Sequence, residues 1–183
     1  MSKMALEDIT VADFGQTWAG PHAGRVLADM GARVIKIESM KRMDVIRSLP
    51  PWVTDQEHTL NNSGYYNWLN RNKLGVTIDL TTPSGLELAN EIIKISDVMI
   101  ENFSRGVMDK FGLDYASVKE VNPEIIYVSL KEGVRIFLPA EQEEVSEAVF
   151  RRMQSALETE ILNEFYRFRL LVGESQASVS PAI

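Results

Sequence analysis

A chain of 183 residues can bury a core as one domain, or one domain with an appendage, without disulfides or metals. It is 45% hydrophobic and 25% charged, and its net charge of −7 argues against a nonspecific nucleic-acid partner, which requires a basic face. Cysteine is absent, which removes disulfides, thiolate nucleophiles and cysteine-ligated zinc together.

From Met1 to Asp8 the chain carries acids where a secretory signal needs an apolar core. No run approaches the roughly 18 apolar residues of a membrane span, so no membrane partner is expected and the cytoplasm is the default compartment. Ile9 to Phe14 then reads as a strand and Gly15 to Ala19 as a loop. Pro21 sits near a helix start, with Ala23, Val26, Leu27 and Met30 at helical spacing and Gly31 closing the helix. Arg33 to Ile37 is a second strand. Glu38 to Leu69 is long and irregular, which suits a functional or mobile loop, although Tyr65, Tyr66 and Trp68 read better as a packed helix start.

Gly75 to Leu80 is a third strand. Thr82 caps the next helix, Pro83 occupies its first turn, and Leu88, Ile92 and Ile95 are expected to line one face, beside Leu86, Ala89 and Ile93. Asp97 to Asn102 and Ile125 to Leu130 complete five strands. Strands alternating with helices predict an α/β fold: an open parallel, Rossmann-like sheet with helices on both faces. Residues 1–131 form this expected domain. After Pro139, apolar positions from Val145 through Val149, Met153 and Leu157 to Val172 predict one long C-terminal amphipathic helix in a divergent extension, 132–172. Residues 173–183 are small and polar and are expected to fray.

In parallel sheets ligands sit beyond the carboxyl ends of the strands, so the loops after Phe14, Ile37, Asn102 and Leu130 are the candidates. Gly15-Gln16-Thr17-Trp18-Ala19-Gly20-Pro21 joins a strand to a helix, where glycines permit close backbone approach and the helix start offers amides to an anion. The same loop also suits a tight turn with no ligand. Its spacing is neither a dinucleotide GxGxxG nor a P-loop. Glu38 ends the second strand, where an acid would meet a ribose in a nicotinamide enzyme, yet a solvated acid explains it as well. Asn70, Arg71, Asn72 and Lys73 place amides and bases before a strand, suited to phosphate and purine contacts or to a plain polar loop. Asn102 and Phe103 follow the fourth strand, Lys110 lies beyond, and Lys131 follows the fifth: bases at successive strand ends suit an anion. His22 and His58 lack metal-ligand spacing, so no metal is expected. Asp13, inside a strand, reads as structural.

In order along the chain, VADFGQTWAGPHAGRVLADMGARVIKIE (Val11 to Glu38), NRNKLGVTIDLTTPSG (Asn70 to Gly85), DVMIENFSRGVMDKFGLDY (Asp97 to Tyr115) and NPEIIYVSL (Asn122 to Leu130) resemble the N-terminal half of the family III CoA-transferases. That family includes formyl-CoA and carnitine CoA-transferases and acyl-CoA racemases. The resemblance implies an interlocked homodimer, coenzyme A or an acyl-CoA as ligand, and a small carboxylic acid as second substrate. It puts CoA contacts at Trp18, Ala19, Asn70, Arg71, Asn72, Lys73, Asn102, Phe103, Lys110 and Lys131. Ser39 stands where many members have a basic residue, and Leu74-Gly75 replace a common Arg-Ser.

The family's chemistry uses an aspartate nucleophile some dozens of residues after the SL strand, following a glycine-rich stretch. Here Asp114 is the last aspartate, and nothing around Glu174 matches, so no catalytic residue is assigned. The expectation is a truncated CoA-transferase that binds CoA without turnover. A non-catalytic CoA-binding or interaction module is the alternative, and a nicotinamide-dependent enzyme a more distant one.

Overall fold

The computed structural model describes residues 4–52, 57–130 and 134–137. In chain order the elements are β1 (Thr10–Asp13), α1 (Ala19–Asp29), β2 (Arg33–Glu38), a 3-10 turn (Val45–Ser48), α2 (Gly64–Asn70), β3 (Leu74–Thr77), α3 (Pro83–Lys94), β4 (Val98–Glu101), α4 (Val107–Lys110), α5 (Tyr115–Val121), β5 (Ile126–Leu130) and β6 (Val134–Phe137). They build one sheet in the order β3-β2-β1-β4-β5-β6. The five expected strands are all present and mutually parallel. The correction is at the edge. Val134–Phe137, which the sequence put in a helical extension, runs antiparallel to β5 with Ile136 opposite Val128. Only an antiparallel neighbour can be reached by so short a connection. The long helix expected after Pro139 and the 173–183 tail lie outside the described residues.

Strand side chains alternate between the two faces, and each face has its own core. Val11, Val34, Val98, Ile100, Ile126 and Val128 lie with Leu27 and Ala28 of α1. Ala12, Ile37, Met99 and Tyr127 lie with Ala89 and Ile93 of α3, Met108 of α4 and Val118 of α5. Helices therefore cover both faces, as the near-continuous apolar strands predict.

Helix α3 starts as expected, with the Thr82 hydroxyl accepting the Gly85 amide and Pro83 in the first turn. Its buried stripe differs: it runs through Gly85, Ala89 and Ile93, while Leu88 and Ile95 are 57% and 58% exposed. Its first buried position needs glycine, because a Cβ on Gly85 would come within 1.9 Å of the Asp79 carbonyl oxygen in the turn that precedes the helix. The stretch between Glu38 and Leu69 holds the 3-10 turn and α2, capped by Ser63. The aromatics Tyr65, Tyr66 and Trp68 thus belong to a helix packed against α1.

Candidate functional site at the strand carboxyl ends

Strand order reverses between β1 and β4, and the crevice beyond such a switch point is where parallel α/β sheets take ligands. The Phe14 amide donates to the Ile100 carbonyl at 2.9 Å and ties the two strand ends together. From there the glycine loop is braced residue by residue. The Gly15 amide donates to Asp13 Oδ1 at 2.8 Å and the Gln16 amide to Asn102 Oδ1 at 2.7 Å, while the Thr17 amide donates to Asp44 Oδ2 at 2.8 Å. Asn102 returns a second bond from Nδ2 to the Gln16 carbonyl at 2.7 Å, and Lys36 donates to the Gly15 carbonyl.

This bracing refines the expected anion cradle. Amides 15 to 17 already have acceptors within the protein, which leaves the helix start as the part of the loop not engaged in this bracing. Trp18 caps α1 without a side-chain bond, and no acid lies in the first turn. The first amides of a helix have no intrahelical acceptor, and Pro21 contributes none, so the donors that the helix itself leaves unused belong to Trp18, Ala19 and Gly20, of which Gly20 is buried. The glycines serve the chain's own approach: a Cβ on Gly15 would lie 2.5 Å from the Gly20 Cα, and one on Gly24 2.6 Å from Asp13 Oδ2.

Below the loop sits a buried ion pair. Lys73 Nζ is 2.8 Å from Asp13 Oδ2, with side chains 1% and 0% exposed. The ammonium also donates to the Pro21 carbonyl at 2.8 Å and to Asn70 Oδ1 at 3.1 Å, which satisfies its three donors. Burial pushes the Lys73 ammonium below the usual lysine range against the pull of Asp13. Lys36, opposite Asp13 in the β1–β2 register, adds a second positive group to the same face.

The four residues before β3 do not act together. Lys73 turns inward to Asp13, and Asn70 accepts from the same ammonium while its Nδ2 donates to the Tyr66 carbonyl. Arg71 and Asn72 instead engage Asp29 at the far end of α1, at 2.6 and 2.7 Å. Burial would raise the Asp29 carboxyl, but the bonds from Arg71 and Asn72 outweigh it and hold it below the ordinary value. Phe103 packs partly buried against the second core, and its amide donates to Glu101 Oε2 at 2.8 Å. Ala19 and Lys110 are exposed, and Lys131 lies outside the described residues. Trp18 is 45% exposed, its ring centroid 5.1 Å from Tyr65 and 5.8 Å from Trp68, so α2 supports the loop from the side.

Glu38 is not a solvated acid. Arg47 grips it with Nε and Nη2, each 2.8 Å from a carboxylate oxygen, the Tyr66 hydroxyl lies 2.9 Å from Oε2, and the Asp44 amide donates to Oε1 at 2.9 Å. Desolvation would raise this carboxyl, but the bonds from Arg47, the Asp44 amide and Tyr66 hold it below the ordinary value. Tyr66 is pushed up, by burial first and by the Glu38 charge second. A carboxylate so fully engaged has no oxygen left for a ribose, which removes the support for a nicotinamide enzyme.

Asp44 and Lys36 were missed from sequence. Lys36 did leave a signal, a charge inside the otherwise apolar strand Val34 to Ile37, which is rare without a buried partner. Asp44 left a weaker one, an acid immediately before the short turn that it caps. Among the described residues no group of three His, Cys, Asp or Glu could hold a metal, and no helix is long and apolar enough to cross a membrane.

Residues 6–132 match the sequence model of CoA-transferase family III. The chain is 41% identical over 129 residues to a succinate–glutarate CoA-transferase of Agrobacterium fabrum, a match spanning 70% of this chain and 32% of that protein. It is 40% identical over 127 residues to a succinyl-CoA:mesaconate CoA-transferase of Haloarcula hispanica, covering 69% and 32%. A CAIB/BAIF family protein from Brucella suis superposes with a TM-score of 0.64 at 40% identity, covering 70% of this chain and 33% of that one. The chain thus spans about a third of the length of the curated relatives that it matches. Sheet order, switch-point loops and relatives agree over the same residues, and this chain belongs to CoA-transferase family III.

Proposed function

We propose that this chain binds CoA or an acyl-CoA at the carboxyl ends of β1 and β4. The reading is carried by one observation: the residues matched to the family include the two switch-point loops, with an uncapped helix start between them that bears no acid. The Trp18, Ala19 and Gly20 amides and the positive end of α1 suit a phosphate or thioester oxygen. Asn102 and Phe103 border the same crevice, and Asn70 and Lys73 support it from below. Arg71, Asn72, Lys110 and Lys131 complete the proposed contact set, with Arg71 and Asn72 bonded to Asp29 and Lys110 exposed.

The reaction proposed for the whole protein is transfer of CoA between an acyl-CoA and a small carboxylic acid. The relatives' names mention succinate, glutarate and mesaconate, all dicarboxylic acids, which favours an acid of that class. Because Asp114 is the last aspartate of the sequence, these residues are proposed to bind CoA without transferring it. A homodimer in the cytoplasm completes the reading.

Thermal-shift titration with CoA, succinyl-CoA and NAD tests it. At a hundredfold excess over Kd, a ligand stabilises by about 2.7 kcal/mol, which for a chain of this size raises Tm by roughly 5–10 °C. A rise with CoA and none with NAD is expected. A rise with NAD alone would overturn the reading.

A further inference from the structure

Thr17 stands at φ 65°, in the left-handed region that β-branched residues rarely enter. Among the described residues the other non-glycine there is Asn72, of a type that adopts this conformation readily. Thr17 is also the joint of the glycine loop. Before it, Gly15 and Gln16 are pinned by Asp13, Lys36 and Asn102; after it comes the start of α1, whose first amides the helix itself leaves without acceptors.

A single side-chain bond is seen to hold the Thr17 amide, at 2.8 Å from Asp44 Oδ2. Asp44 is 1% exposed and cannot easily turn away. Its Oδ1 accepts the Ile46 amide at 3.2 Å, and its own amide is bonded to Glu38, which Arg47 and Tyr66 clamp from behind. Two backbone amides thus converge on the two oxygens of one buried carboxylate. Asparagine has nearly the same shape but offers one acceptor oxygen, so it would set an NH2 group against one of these amides.

We propose that Asp44 is a positioning residue for the ligand loop: its carboxylate holds Thr17 left-handed and so aims the Trp18, Ala19 and Gly20 amides into the crevice. The ligand part of this proposal rests on the CoA reading above. The residue acts through the backbone of Thr17 and touches no substrate.

The test uses the full chain and two readouts, CoA affinity by calorimetry and amide hydrogen exchange by NMR. Asp44→Asn is expected to weaken CoA binding roughly ten- to a hundredfold, the range for losing a bond to a charged group. It should also speed exchange at Thr17 while leaving the β4 and β5 amides slow. Adding Thr17→Gly removes the penalty of the left-handed conformation, so the double variant should recover a large part of the lost affinity. A purely structural role for Asp44 predicts no such rescue, and its absence would overturn the proposal, as would unchanged affinity in Asp44→Asn. If that variant does not fold, the unsubstituted chain decides: Thr17 exchange as fast as in an unstructured peptide overturns the proposal, and strong protection supports it. Failure of the unsubstituted chain to bind CoA would instead sink the CoA reading, with Thr17 exchange still judging the Asp44 contact.

Discussion

Asp13 and Lys73 face each other out of solvent beneath the start of α1, and each is tolerable there because of the other. Removing one partner of a buried pair leaves an uncompensated charge, which is far costlier than the net worth of the pair. Lys73→Met is therefore expected to destabilise the chain by about 3–5 kcal/mol, read from urea unfolding. A loss below about 1 kcal/mol would mean that water reaches Asp13. Gly24 stands directly over this pair. Its added Cβ would meet Asp13 Oδ2 at 2.6 Å, and that oxygen is fixed by Lys73, so Gly24→Ala should cost about 1–3 kcal/mol, contrary to the gain that alanine usually brings inside a helix. Equal or greater stability of Gly24→Ala in the same assay would show that the pair can shift.

At the scale of elements, two connections beyond strand ends are held by side chains. Asn102, just after β4, bonds both the amide and the carbonyl of Gln16, so Asn102→Ala leaves these two backbone groups without those bonds, at a cost of about 1–3 kcal/mol in unfolding free energy. The connection after β2 is organised by Glu38 with Arg47 and Tyr66. Its acid dependence has a definite sign. The Glu38 carboxyl lies below its ordinary value of 4.5 when folded, so its contribution is fully present above that pH and is lost as pH falls through the lower, folded value. Urea midpoints should hold from pH 7 to about 5 and drop below about 4.5, with Glu38→Gln giving a shallower drop. Identical acid profiles for the two chains would exclude Glu38 as the source. These connections explain what sequence patterning missed. The segment between Glu38 and Leu69 looks irregular because its order comes from Arg47, Ser63 and Tyr66 bonding across the segment, and such bonds leave no period in the sequence.

For the whole molecule, a match covering about a third of its relatives' length makes binding and turnover separable questions. Purified chain is expected to bind CoA and yet show no exchange of labelled succinate into succinyl-CoA; measurable exchange would disprove binding without turnover. Much of this molecule was legible beforehand. The strand–helix alternation, the two-faced core, the glycine loop at a strand end and the family resemblance could all be read from residues near one another in sequence. Alternation follows from local backbone geometry, which puts successive strand side chains on opposite faces whatever lies across from them. Tertiary structure alone decided the destination of each polar group: Lys73 inward to Asp13 and Arg71 outward to Asp29, Asn102 against Gln16, Glu38 closed off by Arg47, and Asp44 beneath Thr17. A buried polar group must find a partner wherever folding brings one, and here the partners lie up to 86 residues away, beyond the reach of any local pattern.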